Sequence, residues 1–357
     1  MKVVIAAGGT AGHVNPALAL AHALDGDDVS FVGTDRGLET RIVPEHGFAL
    51  RTIEVVGFDR AKPLAFPAVA LKALGAIRRS RALLAEIEPD VVVGMGGYVS
   101  LPVALAARSR SVPIVLHEQN IVFGLANRVT KRFARRVAVS FEDTLAEAGP
   151  GGVHTGNPVA ADLATFDRTA ARSEAFERLE LDPGRRTAIV FGGSLGARTL
   201  NDAAIDLAEL WRNRTDVQIL HISGRGGSAT PDRPEVSPVY RQTDYIDDMK
   251  LAYAVADLAI CRGGASTVAE LCVAGVPSVI VPYPHHRDRQ QERHGRVLEV
   301  AGAAVVIDDR EASADRLAAT FDELVASDRL EAMAEAARAL GRPDAAADLA
   351  RVVREAA

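Results

Sequence analysis

The chain alternates short apolar runs with stretches of helical spacing, and glycine-rich turns separate the two. Lys2 to Ala7 reads as a strand buried on both faces. Gly8-Gly9-Thr10-Ala11-Gly12-His13 breaks it, and helical apolar spacing runs from Pro16 to Leu24. Val29 to Val32 is the next strand, followed by Gly33-Thr34-Asp35. Strand, turn, helix, strand is the opening of a doubly wound α/β domain. The order continues with a strand at Asp90 to Val93, a second turn at Gly94-Met95-Gly96-Gly97-Tyr98-Val99-Ser100, and a helix at Pro102 to Ala107. Pro113 to Leu116 is a strand ending in His117-Glu118-Gln119-Asn120. Polar residues at strand ends in this fold class face the binding crevice.

After Gly156-Asn157-Pro158-Val159, which reads as a link and hinge between domains, the pattern restarts. Asp162 to Leu179 reads as one charged helix and Thr187 to Phe191 as a strand. Gly192-Gly193-Ser194-Leu195-Gly196-Ala197-Arg198 is a third glycine-rich turn, before a helix (Leu200 to Trp211) and a strand (Val217 to Ile222). Ser223 to Pro238, rich in Gly, Ser and Pro, reads as a loop. Tyr245-Ile246-Asp247-Asp248-Met249 leads through a short helix to another apolar run. From Leu317 onward the chain reads as Ala-rich helix, broken at Gly341-Arg342-Pro343. A last helix from Asp344 is expected to fold back on the first domain. The expected domains are therefore 1–158 joined by 344–357, and 159–343.

The segment from Cys261 to Gly295 carries the densest chemistry. An apolar run ends in Arg262-Gly263-Gly264, a helix follows from Ser266 to Ala274, and a second run spans Ser278 to Val281. Glycines let backbone approach a phosphate, and a helix N-terminus offers free N–H groups and a positive dipole end. Ala265, Ser266 and Thr267 supply those amides and two hydroxyls. Glu270, one turn in, is placed to accept from a ribose diol. Thr267-x-x-Glu270 also fits a capping box, in which Glu270 satisfies only a backbone N–H. The spacing of Gly8, Gly9 and Gly12 does not match G-x-G-x-x-G. With Asp35 as a possible ribose-binding acid, a nicotinamide enzyme survives as a weak alternative.

Composition narrows the classes. With 357 residues the chain is long enough for two domains. Aromatic content of 5% and a net charge of −6 argue against a nucleic-acid partner. Charge is uneven: residues 1–160 hold 17 Lys and Arg against 15 Asp and Glu, and the rest hold 24 against 32. The N-terminal half is the better surface for an anionic partner. Two cysteines make neither a disulfide framework nor a zinc site and suit a reducing cytoplasm. The first apolar run is too short for a secretory signal, and no run nears the roughly 20 apolar residues of a membrane span. The expectation is a soluble protein, peripheral at most.

One segment suits a membrane surface. Val55 to Leu84 interleaves Arg60, Lys62, Lys72, Arg78, Arg79 and Arg81 with Phe58, Leu64, Phe66, Val69, Leu71, Leu74 and Ile77. A basic amphipathic segment of this kind sits on anionic lipid, and a helix packed on a sheet with a solvated basic face has the same pattern. Asp25-Gly26-Asp27 matches a metal-binding D-x-D, but it follows a helix at the edge of the sheet away from the crevice and reads as a turn. His285, His286 and His294 stand among Arg287, Arg289 and Arg293, a setting that repels a cation. No metal site is expected.

Two doubly wound parallel-sheet domains with a cleft between them form the GT-B arrangement of nucleotide-sugar transferases. The motifs, taken in order, carry a specific likeness. Gly8-Gly9-Thr10-x-Gly12-His13, Gly94-Met95-Gly96-Gly97-Tyr98, His117-Glu118-Gln119-Asn120 and Gly156-Asn157-Pro158-Val159 come first. Gly192-Gly193-Ser194-x-Gly196-Ala197-Arg198, Tyr245-Ile246-Asp247-Asp248-Met249, Ala265 to Glu270, and Asp288-Arg289-Gln290-Gln291 follow. Together they closely resemble the MurG family (glycosyltransferase family 28), the undecaprenyl-diphospho-muramoylpentapeptide β-N-acetylglucosaminyltransferases of peptidoglycan synthesis. The likeness covers essentially the whole chain.

The resemblance implies transfer of GlcNAc from UDP-GlcNAc to the 4-hydroxyl of MurNAc in lipid I, with inversion, giving lipid II at the cytoplasmic face of the plasma membrane. Ile246 is expected to read uracil through its backbone. Ser194 and Ala265 to Thr267 hold the diphosphate, Glu270 the ribose hydroxyls, and Gln290 and Gln291 the sugar hydroxyls. Val268, Ala269, Thr10, Ala11, Gly12 and Asn120 complete the implied donor set. Gly9, Gly96, Gly97 and Tyr98 are the implied acceptor set. His13 is the candidate base, with a turn-capping role as the alternative, and Glu118 is in reserve. A helix N-terminus favours a neutral, proton-accepting imidazole. Leaving-group charge falls to amides, the helix dipole and Arg262, with no obligatory metal or cofactor. Two departures from the family are Ala160, where an Arg often stands, and the Ser223 to Pro238 loop, less helical than expected. The competing readings are a UDP-GlcNAc epimerase, a GT-B transferase with a soluble acceptor, and a non-catalytic sugar-nucleotide binder.

Overall fold

The computed structural model describes residues 1–55, 66–225, 240–286 and 288–357, with backbone alone for 66–71. It divides into two compact units: Met1–Ala161 with Arg342–Ala357, and Asp162–Gly341. In unit 1 the strands are β1 (Lys2–Ala6), β2 (Asp28–Gly33), β3 (Ala49–Thr52), β4 (Val91–Gly94), β5 (Ile114–Glu118), β6 (Arg136–Val139) and β7 (Gly152–His154). They form one parallel sheet in the order β3-β2-β1-β4-β5-β6-β7. Strand order reverses between β1 and β4. Ala6 pairs with Gly94 there, so the turns that follow leave the sheet side by side.

Alternation along β1 explains the layers. Val3 and Ile5 face one core, with Leu20 and Phe31, and Val4 and Ala6 face the other, with Leu84 and Val103. The first core is closed by the C-terminal helix Ala345–Ala356. Its Leu349, Val352, Val353 and Ala356 form one apolar stripe, and all four are buried. Arg354 on the same helix bonds Asp27, which also accepts from the N-terminal ammonium at 2.9 Å. The Asp25-Gly26-Asp27 segment is thus tied into unit 1 as a turn. Gly156, at φ +84°, packs so closely on Arg342 that a Cβ there would lie 2.7 Å from the Arg342 Cβ. The outgoing and returning chains therefore run against each other within unit 1.

The helix Phe66–Ile87 settles part of the basic amphipathic segment. Ala76, Ser80, Leu83 and Leu84 are buried, while Lys72, Leu74, Arg78, Arg79 and Arg81 are exposed. The helix both packs on its unit and presents a basic, partly apolar face. Residues 56–65, with Phe58, Arg60, Lys62 and Leu64, and the side chains of Phe66, Val69 and Leu71 lie outside the described residues. Among the described residues no helix is long and apolar enough to cross a membrane.

Unit 2 contains β8 (Arg186–Phe191), β9 (Val217–Ile222), β10 (Tyr240–Thr243), β11 (Leu258–Cys261), β12 (Ser278–Ile280) and β13 (Ala304–Val306). These are parallel in the order β10-β9-β8-β11-β12-β13, with the reversal between β8 and β11. Trp211 meets Phe321 edge-on at 4.9 Å in the core.

Several elements differ from the sequence reading. Asp162 to Leu179 is two helices, Ala161–Ala164 and Arg168–Arg178, because Asp167 caps the second by accepting from the Thr169 and Ala170 amides. The Ala-rich stretch is also split, into Ala314–Ala326 and Arg329–Leu340, with Asp328 left-handed at φ +52° between them. The helix Glu39–Glu45 and the strands β3 and β13 have no strong period in the sequence. The polar segment after Tyr283 forms the helix Gln290–Val300. Residues 226–239 of the Gly/Ser/Pro loop, and Arg287, lie outside the described residues.

Candidate active site

In unit 1 the helix Ala11–Ala23 starts directly on the glycine turn, so His13 occupies its first turn. The His13 and Val14 amides close on the Thr10 carbonyl, which leaves those of Ala11 and Gly12 outside the helical ladder. The Thr10 hydroxyl does not cap the backbone; it lies 3.1 Å from His13 Nδ1. With Nδ1–H donating to it, Nε2 keeps a lone pair. That edge of the ring lies against Gly96, where a Cβ would come within 3.1 Å of Nε2. Gly96 and Gly97 have φ of +86° and +75° and open the helix Gly97–Ser109. The turns that the sequence separates by more than 80 residues are therefore in contact. Burial lowers the His13 pKa below the ordinary imidazole value, and the negative charge of Glu39 opposes that shift. Burial therefore acts in the direction expected of the helix N-terminus, toward the neutral imidazole.

A pocket of about 750 Å³ opens beside this ring. Its polar end is His13, Gly96, Gly97, Tyr98, Glu118 and Asn120. The rest of the lining is mostly apolar, with Ala76, Ile77, Leu101, Pro102 and Leu105, and includes Lys72 and Asn127. Tyr98 (64% exposed), Leu125 (52%) and Leu74 (45%) are large apolar side chains left in solvent on this unit. Gly9 and Thr10 are exposed on the first turn.

Glu118 is not free to act as a reserve base. Its Oε1 accepts from the Asn120 amide and side chain, and its Oε2 from the Gly124 amide at 2.9 Å and Asn127 Nδ2 at 3.0 Å. Four N–H donors occupy the lone pairs of both oxygens, and the carboxylate organises the loop after β5. Burial raises its pKa, and those hydrogen bonds offset the rise only in part.

In unit 2 the helix Ala265–Ala274 begins after Gly264. Val268 is the first residue whose amide closes a helical bond, to the Gly264 carbonyl at 2.9 Å, so the Ala265, Ser266 and Thr267 amides stand outside the ladder. Ser266 Oγ is buried with no hydrogen-bond partner among the described residues. Glu270 is not a capping-box residue: its Oε2 accepts from the Tyr253 hydroxyl at 2.7 Å. Burial raises its pKa and the Tyr253 bond lowers it in part. Val268 turns its side chain into the core, and Ala269 is half-buried.

The start of the helix Gln290–Val300 is pressed onto the same turn. A Cβ at Gly263 would run into the Gln291 carbonyl, and His294 Nδ1 meets the Gly263 carbonyl at 2.8 Å. Gln291 accepts from the Tyr283 amide at 2.9 Å, and Gln290 Nε2 lies 3.3 Å from His286 Nδ1. The turn after β8 is adjacent to the turn after β11 because those strands pair. Ser194 is exposed on it, and Ile246 is half-buried in the loop after β10. All these residues follow strand ends on the C-terminal edge of one sheet, and the turns after β8 and β11 lie at its switch point. Arg262 does not join them as an anion ligand: its guanidinium turns inward to Asp309 and the Val281 and Pro282 carbonyls. His285 and His286 stack edge-on against Tyr283. Burial lowers the His294 pKa to about 4.

Residues 3–139 match the glycosyltransferase family 28 N-terminal domain, and residues 187–349 match its C-terminal domain. The chain is also 44% identical over 332 residues, 91% of its length, to a Nocardioides sp. protein, covering 90% of that relative. The chain belongs to glycosyltransferase family 28. The Nocardioides protein is named UDP-N-acetylglucosamine–N-acetylmuramyl-(pentapeptide) pyrophosphoryl-undecaprenol N-acetylglucosamine transferase. Among solved structures, Acinetobacter baumannii MurG is 29% identical, with a TM-score of 0.76 and 99% of each chain covered. A Neisseria meningitidis UDP-GlcNAc 2-epimerase has a TM-score of 0.70 at 12% identity, with 99% of this chain and 100% of that chain covered. That likeness shows the shared fold alone.

The sequence reading missed two supports of this family 28 site. Tyr253 is fully buried on the helix Met249–Val255 and holds Glu270. Glu39 is fully buried beneath the first glycine turn. A charged residue followed by Thr and Arg carries no burial signal, but Gly33, Gly37 and Gly8 around it in space mark a crowded carboxylate.

Proposed function

We propose that this chain transfers GlcNAc from UDP-GlcNAc to the 4-hydroxyl of MurNAc in lipid I, undecaprenyl-diphospho-MurNAc-pentapeptide, forming lipid II with inversion at the sugar C1. The observation that carries the reading is the 44% identity, over nine-tenths of both chains, to a relative named for that transfer. Unit 2 supplies the donor groups. The Ala265 to Thr267 amides and the unpartnered Ser266 hydroxyl take the diphosphate, with Ser194 on the neighbouring turn. Glu270, fixed by Tyr253, accepts from the ribose hydroxyls. Ile246 reads the base, and Gln290 and Gln291 hold the sugar.

Unit 1 supplies the acceptor groups. Gly96, Gly97 and Tyr98 of the pocket, with Gly9 exposed on the first turn, border the acceptor's diphosphate and sugar, and His13 Nε2 takes the proton of the attacking hydroxyl. As the acceptor oxygen bonds to C1, the C1–O bond to UDP breaks. The leaving diphosphate's charge falls on amides already oriented toward it. The reading assigns no resident metal or cofactor to these steps. The exposed Lys72, Leu74, Arg78, Arg79 and Arg81 fit an anionic leaflet, which supports a peripheral position at the cytoplasmic face of the plasma membrane.

The test is incubation of the purified protein with UDP-GlcNAc, with and without a lipid I analogue. Expected are UDP release only with acceptor and one added HexNAc on the lipid. Consumption of UDP-GlcNAc without a lipid product contradicts the reading and points to epimerase chemistry.

A further inference from the structure

Glu39 is the first residue of a short helix and has no exposed surface. Nothing in the reaction outlined above uses it. Its Oε2 accepts from the Gly9 amide at 3.0 Å, and its Oε1 from the Thr34 amide at 2.8 Å and the Thr34 hydroxyl at 2.7 Å. Thr34 Oγ1 in turn accepts from the Gly37 amide at 3.1 Å. Three glycines make room for this carboxylate. A Cβ at Gly8 would lie 2.5 Å from Glu39 Oε1, one at Gly33 2.6 Å from its Cγ, and one at Gly37 would overlap it. Such a site costs stability unless the buried charge is well bonded. Here three N–H or O–H donors meet it. Burial alone raises its pKa, and the Thr34 and Gly9 bonds outweigh that and hold it below the ordinary carboxylate value.

The carboxylate is linked to the base through consecutive residues. Glu39 fixes the Gly9 amide, Gly9 turns with φ +94° into Thr10, and the Thr10 hydroxyl sits on His13 Nδ1. We propose that Glu39 is the positioning residue of the catalytic turn. It clamps Gly9 and Thr34 so that Thr10 holds His13 with Nε2 free, and its charge balances the imidazolium that forms when His13 takes the acceptor's proton. The proposal rests on His13 being the base. The field of Glu39 on His13 acts in the required direction, against the effect of burial. The other ionisable side chains lining the pocket with His13 are Glu118, Tyr98 and Lys72, each on a different element from Glu39.

The test is the pH profile of kcat in E39Q, read as acceptor-dependent UDP release. Gln keeps the shape, loses the charge and turns an N–H₂ toward a donor. Expected are a kcat about 10- to 100-fold down, a KM for UDP-GlcNAc within about twofold of wild type, and an acid limb moved to lower pH. The sign follows from removing the charge that raises the His13 pKa. A structural brace alone lowers kcat without moving the limb, and that result overturns the proposal, as does wild-type kcat. If E39Q does not fold, E39D and T34V decide. Both keep the charge, so the limb is expected at or above its wild-type position, with kcat reduced in both because each loosens the Glu39–Thr34 clamp. A limb moved to lower pH in either overturns the proposal. Wild-type protein that releases no UDP with acceptor removes the underlying transferase reading, a different result from a wild-type E39Q.

Discussion

In unit 1 the turns after β1 and β4 flank an imidazole and open on a largely apolar pocket. In unit 2 the turns after β8 and β11 flank a row of unladdered amides, an unpartnered hydroxyl and a tyrosine-held carboxylate. The topology is the same: a parallel sheet whose order reverses beside its first strand, with glycine turns leaving both strands at the reversal. Sheet order therefore makes the slot, and the first two turns of the helix that follows decide what it holds. His13 is the third residue of its helix, and Glu270 is the sixth of its own. In the proposed reaction one switch point moves a proton and the other binds a nucleotide. The buried supports differ to match. Glu39 sits under the turn that carries the base, whereas Tyr253 braces the residue assigned to the ribose.

The sharpest way to break this contrast is His13→Ala. Loss of the base is expected to lower kcat by about 10³-fold, measured as acceptor-dependent UDP release, with the fold intact. Glu270→Ala strikes the other side. It is expected to raise KM for UDP-GlcNAc about 10- to 100-fold, the range for hydrogen bonds to a charged group, and to leave KM for the lipid acceptor unchanged. Steady-state kinetics with each substrate varied in turn checks this. Gly96→Ala tests the contact between the unit 1 turns. A Cβ there lies 2.9 Å from His13 Cδ2 on a backbone at φ +86°, so kcat is expected to fall about 10-fold through a displaced ring. The smallest effect concerns pH. Because burial depresses the His13 pKa, the acid limb of kcat is expected below the ordinary imidazole value, with activity lost as pH falls through the folded value. A pH series on the wild type measures it, and His13→Ala is expected to lack that limb.

Much of this arrangement was legible in the sequence. Apolar runs ending in glycine turns give β1, β4, β8 and β11, because a strand buried on both faces has no polar positions. The turns that carry His13, Gly96 and Ala265 were visible for the same reason. What escaped was short or polar. The strands β3 and β13 have four and three residues, too few to show a period. The helix Gln290–Val300 is almost all polar outside Val297, Leu298 and Val300, and tertiary contact at Gly263 fixes its start. Side-chain direction was out of reach as well. Arg262 and Glu118 both sit at strand ends, where polar residues face the crevice, yet both are spent on internal bonds. Glu39 was invisible for another reason: the room for its carboxylate comes from Gly8, distant in sequence, folding onto the nearby Gly33 and Gly37.

The division of labour between the switch points is tested most directly by calorimetric titration of UDP-GlcNAc into His13→Ala and Glu270→Ala, beside the wild type. Donor affinity at the wild-type level in the inactive His13→Ala, with clear weakening in Glu270→Ala, is the expected result. Equal loss of donor affinity in both variants would contradict it, because His13 would then be part of the nucleotide site and not the base that serves the acceptor.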